Sequence, residues 1–181
     1  MPPDPVRVLI LAPVAFVASS AHATEYLSLP EAQKLMFPDA TSFEPREVRL
    51  TAAELKDISE RSSGPSGPAH WSVFSAKKDH LVLGYVIADM VLGKFQFIDY
   101  AVAFDPQGAV RDVEILSYRE SHGGEVRSKA WRAQFQGKTG QAALQVGQDI
   151  RNISGATLSC THLTDGIRRL AAYARLLVAR P

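Results

Sequence analysis

Four runs of β-branched and aromatic residues follow one another between His70 and Tyr118 with almost nothing between them. They are HWSVFSA (70–76), HLVLGYVIADMVLG (80–93), KFQFIDYAVAFD (94–105) and AVRDVEILSY (109–118). Such residues pack well on a pleated surface, so each run predicts a strand. A parallel pair needs a crossover of roughly a dozen residues or more, and these breaks are far shorter. Consecutive strands must therefore turn straight back, which commits the chain to an antiparallel sheet. The break Asp105-Pro106-Gln107-Gly108 carries its own turn mechanism: Pro sets φ, and Gly takes a left-handed position. Along the third run Tyr100, Val102 and Phe104 fall on one face, and Ala101 and Ala103 on the other. Apolar residues on both faces predict helices covering at least part of the sheet.

The flanking segments supply those helices. SLPEAQKLMF (28–37) opens with a Ser cap, a Pro at the first helical position and a Glu in the first turn, and predicts a short helix. LTAAELKDISERS (50–62) sets Thr51 three residues before Glu54, a capping box, with Leu55 and Ile58 as its apolar edge. SSGPSGPA (62–69) is the clearest internal boundary. RESHGGE (119–125) ends the strand-rich stretch, and EVRSKAWRAQFQGK (125–138) predicts one helix ending near Gly137. Leu163, Ile167, Leu170, Ala174 and Leu177 step by four and three, the period of an amphipathic helix. Its first turn is expected to hold Asp165, and its end Arg175 and Arg180, a polarity the helix dipole favours. The fold class is α+β: a mainly antiparallel sheet with helices packed on it, in a single domain. Residues 24–69 read as an N-terminal helical segment and linker, and residues 70–181 as the main domain.

Charge and cysteine usage exclude several functions. With 20 basic and 19 acidic side chains the net charge is +1, so there is no broad footprint for nucleic acid and no nucleic-acid partner is expected. One cysteine, Cys160, cannot form an internal disulfide, and neither it nor the histidines show metal-ligand spacing. The start of the chain reads as a secretory signal over residues 1–23. Arg7 precedes an apolar run from Val8 to Val17, and Ala21-His22-Ala23 supplies the small-x-small cleavage pattern. That run is too short to span a bilayer core of about 30 Å as a helix. A core strand or an uncleaved anchor are the alternatives. Cleavage would leave a chain starting at Thr24 in the bacterial periplasm or an equivalent exported space.

The stretch NISGATLSC, Asn152 to Cys160, gathers small residues and hydroxyls just before the last amphipathic stripe. The first N–H groups of a helix are unpaired, and with the dipole they attract anions. Gly155 and Ala156 leave that backbone uncovered, and Thr157 puts a hydroxyl beside it. A phosphate group suits such a junction. The physics names no particular phosphate compound.

Ser154-Gly155-Ala156-Thr157, followed by Leu158-Ser159, resembles the flavin-attachment motif of the FMN-binding domain family. That family includes the flavin-carrying subunits of the sodium-pumping quinone reductase and of the Rnf electron-transport complex. Glu120-Ser121-His122-Gly123 is similar to the family's Glu-Thr-x-Gly stretch, which lies against the flavin. Gln134 to Lys138 and Thr164 to Ile167 are also similar, so the likeness covers roughly residues 80–175. It implies FMN held by a phosphoester on Thr157, attached by a separate flavin transferase that uses FAD and Mg²⁺. It also implies a cofactor-binding set of Ser154, Gly155, Ala156, Leu158, Ser159, Glu120, His122 and Gly123. From the residue itself, Trp131 is a candidate to stack on the ring, with a place in the core as the alternative. From the residues themselves, Ser159 and Thr161 suit helix caps. Cys160 suits a small buried thiol, with a redox role as the alternative. The chain departs from the family's pattern at Arg151, where an Asp is usual and the nearest acid is Asp149. It departs also at Ser121 (usually Thr), His122 (usually Pro) and Cys160.

The resulting expectation is an exported electron carrier with membrane or periplasmic redox partners, rather than a stand-alone enzyme. Two alternatives stay open. One is a flavin-dependent reductase with a substrate pocket beside His122 and Trp131. The other is a non-catalytic module that has lost its flavin.

Overall fold

The computed structural model describes residues 24–180. The expected signal at residues 1–23 lies outside the described residues. The four strand runs form β3 (Ser72–Lys78), β4 (Leu81–Leu92), β5 (Phe97–Phe104) and β6 (Val110–Tyr118). They pair antiparallel in sequence order, as their short connections require. Two more strands complete one sheet of order β1-β6-β5-β4-β3-β2. These are β1 (Thr24–Glu25), beside β6, and β2 (Ser42–Arg46), beside β3. Both come from the segment expected to be only helix and linker. β2 is hard to recognise because Glu44, Pro45 and Arg46 interrupt it. Proline lacks a ladder donor and is tolerated here because β2 is an edge.

The two N-terminal helices start where their caps place them. The Glu31 carboxylate accepts from the Ser28 N–H (2.8 Å) at the head of α1 (Leu29–Met36). Glu54 does the same for Thr51 (2.8 Å) at the head of α2 (Ala52–Ser62). The single helix expected over 125–138 is instead three short pieces. A 3₁₀ turn (Gly124–Arg127), α3 (Lys129–Arg132) and a second 3₁₀ turn (Ala133–Phe135) follow one another. Ser128 is the cause: its backbone is extended (φ −60°, ψ 135°), and its hydroxyl accepts from the Trp131 N–H, starting a new helix. The last helix, α4, runs Thr157–Val178 and so begins before the apolar stripe does. Asp165 therefore lies beyond the first two turns rather than in the first, paired to Arg168 at 2.8 Å.

The two sheet faces are covered unequally. Tyr100, Val102 and Phe104 are fully buried on the face that α4 covers, in the large core with Leu163, Ile167, Leu170, Ala174 and Leu177. Each such leucine or isoleucine contributes about 1.5–3 kcal/mol by leaving water. Ala101 and Ala103 face the other way, against Met36, Phe37 and Ala40 of α1 and its exit. Gly166 lets α4 sit close to the sheet, because a Cβ there would run into the Tyr100 hydroxyl and come within 2.9 Å of Val91. That hydroxyl donates to Asp89 (3.0 Å), which also pairs with Arg169 of α4 (2.7 Å). Burial pushes the Tyr100 phenol well up, so it stays a donor.

Candidate functional site

The start of α4 is built by a tight turn. The Ala156 N–H donates to the Ile153 carbonyl (3.0 Å), and Gly155 takes φ +81°, a left-handed value glycine adopts without strain. Ala156 precedes the helix with no side-chain cap. The first intrahelical bond runs from the Cys160 N–H to the Ala156 carbonyl (2.9 Å). The N–H groups of Thr157, Leu158 and Ser159 come before it, so they form the donor cluster of the helix start. Thr157 is exposed, and its Oγ1 accepts from Asn152 Nδ2 at 3.0 Å.

A second segment leans on this start. Tyr118, the last residue of β6, donates to the His122 carbonyl (2.5 Å) and lies 3.1 Å from Ser159 Oγ. Ser159 is thus a buried residue inside the helix, and Thr161 also lies within it; neither is a cap. Gly123, at φ +84°, packs so tightly that a Cβ would stand 2.5 Å from that of Ala156 and 2.8 Å from Tyr118 Oη. Only glycine permits both that backbone and that approach. The loop after β6 is therefore pressed against the Ser-Gly-Ala-Thr turn.

The third segment is the β4–β5 turn. Glu120 Oε1 accepts from the N–H groups of Phe95 (2.6 Å) and Gln96 (3.0 Å). Partial burial works to raise this carboxyl, but the amides of Gln96, Phe95 and Lys94 outweigh it and hold it below the usual range. Gly93 gives the carboxylate room, since a Cβ there would lie 2.6 Å from Glu120 Oε1. From α4, His162 Nδ1 lies 2.5 Å from the Leu92 carbonyl, tying helix to turn.

Between the three segments lies an open hollow of about 330 Å³. Lys94 and Phe95 line one side, Glu120 to His122 another, and Gly155 to Ser159 the third. Its size falls within the roughly 300–1,000 Å³ usual for small-molecule sites. Of the residues expected to bind a cofactor, it gathers Gly155, Ala156, Thr157, Leu158, Ser159, Glu120 and His122. Ser154 is exposed in the adjoining turn. Gly123 fronts a neighbouring hollow of about 610 Å³ beside Tyr26 and Tyr118. Trp131 lines neither hollow. It is buried edge-on to Phe135 (5.1 Å), and its Nε1 donates to the Arg151 carbonyl (2.8 Å). It braces the strand of chain that leads into the motif instead of facing the hollow.

Three contributors were missed from sequence: Lys94, Phe95 and Asn152. Phe95 is 71% exposed; it was read as part of the third strand run, and Gly93 two residues before it was the available signal of a turn. Asp149, the acid nearest the motif in sequence, is occupied by the N–H groups of Gln145 (2.8 Å) and Leu144 (3.1 Å) and by Lys138 (2.9 Å). Cys160 is fully buried, and burial pushes its thiol up, so little thiolate forms.

The donor set fits a flavin nucleotide. Helix-start N–H groups and a hydroxyl suit its phosphate, and the exposed faces of Phe95 and Leu158 suit its ring. Residues 93–172 match the FMN-binding domain family, a span that contains every side chain lining the hollow. The chain is also 28% identical over 125 residues to one component of the proton-translocating ferredoxin:NAD(+) oxidoreductase complex of Clostridium ljungdahlii. That match covers 65% of this chain and 66% of the relative, just under two thirds of its length. Residues 93–172 thus carry the match to an FMN-binding domain, and the cofactor is FMN.

Proposed function

We propose that the protein is an exported electron carrier whose FMN is esterified through its phosphate to Thr157. One observation carries this reading: Thr157 is exposed and lines the hollow at the start of α4, where the first helix N–H groups have no partner within the helix. In the attachment step Thr157 Oγ1 attacks the FMN-side phosphorus of FAD. The pyrophosphate P–O bond breaks, AMP leaves, and the hydroxyl proton passes to a base of the flavin transferase. A transferase acting with FAD and Mg²⁺ is thus a maturation partner. It would meet Arg151 in place of the usual Asp, with the Arg151 backbone held by Gln134 and Trp131.

Bound FMN supplies electron transfer in steps of one or two; the protein supplies position and polarity. The N–H groups of Thr157, Leu158 and Ser159 would hold the phosphate charge. Phe95 and Leu158 would offer apolar surface to the ring, and Glu120 holds the turn that carries Phe95. The Ser121 and His122 side chains, 2.9 Å apart, give the rim its polar side. The relative's place in a proton-translocating oxidoreductase complex supports membrane redox proteins as partners. The apolar run and the Ala21-His22-Ala23 pattern support export to the periplasm, where a covalent bond keeps the flavin from being lost.

The test is expression with a flavin transferase, recovery of the exported fraction and electrophoresis under denaturing conditions. The reading predicts a flavin-fluorescent band whose N-terminal residue is Thr24. A colourless denatured band, or protein kept in the cytoplasm with residues 1–23 intact, contradicts it.

A further inference from the structure

Asn152 is the side chain that touches the hydroxyl in question. Its Nδ2 donates to Thr157 Oγ1 across the turn, at 3.0 Å. The chain on either side of Asn152 is fixed. The Arg151 N–H donates to Gln134 Oε1 (2.8 Å), and the Arg151 carbonyl accepts from Trp131 Nε1 (2.8 Å). On the far side, Ile153 packs against the main core, and its carbonyl closes the turn with the Ala156 N–H. The amide thus reaches Thr157 from a braced backbone, so little ordering is left to do when the contact forms.

The direction of the bond matters chemically. Asn152 donates and Thr157 accepts, so the threonine keeps its own proton for removal by a base. One Oγ1 lone pair is engaged, the rotamer is set, and the other lone pair stays free to attack. After esterification Oγ1 bridges to phosphorus and accepts poorly. The amide, with two N–H bonds, can then reach a non-bridging phosphate oxygen a bond away. Being neutral, it adds a donor without the desolvation cost of a buried charge.

We propose that Asn152 is a positioning residue for flavin attachment: it presents Thr157 Oγ1 to the incoming phosphorus and then holds the esterified phosphate. This rests on the reading of Thr157 as the attachment site. The balance is that of the attachment step, with Asn152 gaining and losing no proton.

The experiment follows the mass of the mature protein over time with a flavin transferase, FAD and Mg²⁺. Wild type, Asn152→Leu, Asn152→Asp and Thr157→Val are compared. Asn152→Leu is expected to slow the gain of FMN mass by roughly three- to tenfold, the range one neutral hydrogen bond controls. The loss should fall on kcat with KM for the protein substrate unchanged, which a general loosening of the fold would not produce. Asn152→Asp is isosteric and keeps the fold, but it turns a donor into an acceptor with a negative charge beside a phosphate. It should be at least as slow. Equal rates for wild type and both Asn152 variants overturn this proposal alone. Wild type that gains no mass, or Thr157→Val that does, overturns the attachment reading with it.

Discussion

Glu120 works on the site through a backbone. Its carboxylate ties down the Phe95 and Gln96 N–H groups, so it sets where the Phe95 ring stands. Hydrogen bonds to a charged acceptor are roughly twice as strong as neutral ones, so Glu120→Gln keeps an acceptor and weakens the clamp. Solvent reaches this carboxylate, and the expected cost is only about 0.5–1 kcal/mol. The pH dependence follows from the sign of the shift. The folded carboxyl lies below its ordinary value, so its contribution is present above the unfolded value and is lost as pH falls through the lowered folded one. Wild type should therefore lose more stability than Glu120→Gln between about pH 6 and about pH 3 in thermal melts. Parallel pH profiles for the two proteins would contradict the clamp. The Glu120 role was not readable in advance: the family resemblance implied a place against the flavin, but only the fold shows its oxygen spent on a turn 25 residues away.

α4 shows where periodicity informs and where it fails. Its apolar stripe was plain from Leu163 onward, since those positions bury by hydrophobic packing alone. The first two turns were not, because Ser159 buries through a hydrogen bond to Tyr118 and Thr164 through one to the Cys160 carbonyl (2.7 Å). Hydroxyl residues satisfied this way leave no apolar signature. The same holds for residues 124–135, where Ser128 recaps the chain and divides one expected helix into three pieces. Gly166 gives the element its sharpest test. Helix propensity alone says that Gly→Ala stabilises by about 1 kcal/mol. The Tyr100 hydroxyl and Val91 stand where the new methyl would go, and overpacking there costs about 1–3 kcal/mol. Gly166→Ala is therefore expected to lower the midpoint of urea unfolding. A raised midpoint would show that propensity wins and that α4 is not seated as tightly as described.

At the scale of the molecule, the site exists because the sheet order brings three distant segments to one end. The β4–β5 turn, the exit of β6 and the start of α4 meet there, held by Glu120, Tyr118 and His162. The antiparallel sheet and the Ser154–Thr157 motif were legible, since short breaks and a local pattern encode them. Lys94, Phe95 and the edge strand β2 were not. Their roles depend on which strands become neighbours, and a run such as Ser-Phe-Glu-Pro-Arg carries no strand pattern of its own. The whole arrangement converges on one oxygen atom, and a tryptic digest of the transferase-treated protein addresses it. Cleavage after Arg151 and Arg168 releases Asn152–Arg168, a peptide that holds Ser154, Ser159, Thr161 and Thr164 besides Thr157. Tandem mass spectrometry of that peptide is predicted to place FMN on Thr157; FMN on any of the other four hydroxyls, or an unmodified peptide, would contradict the account.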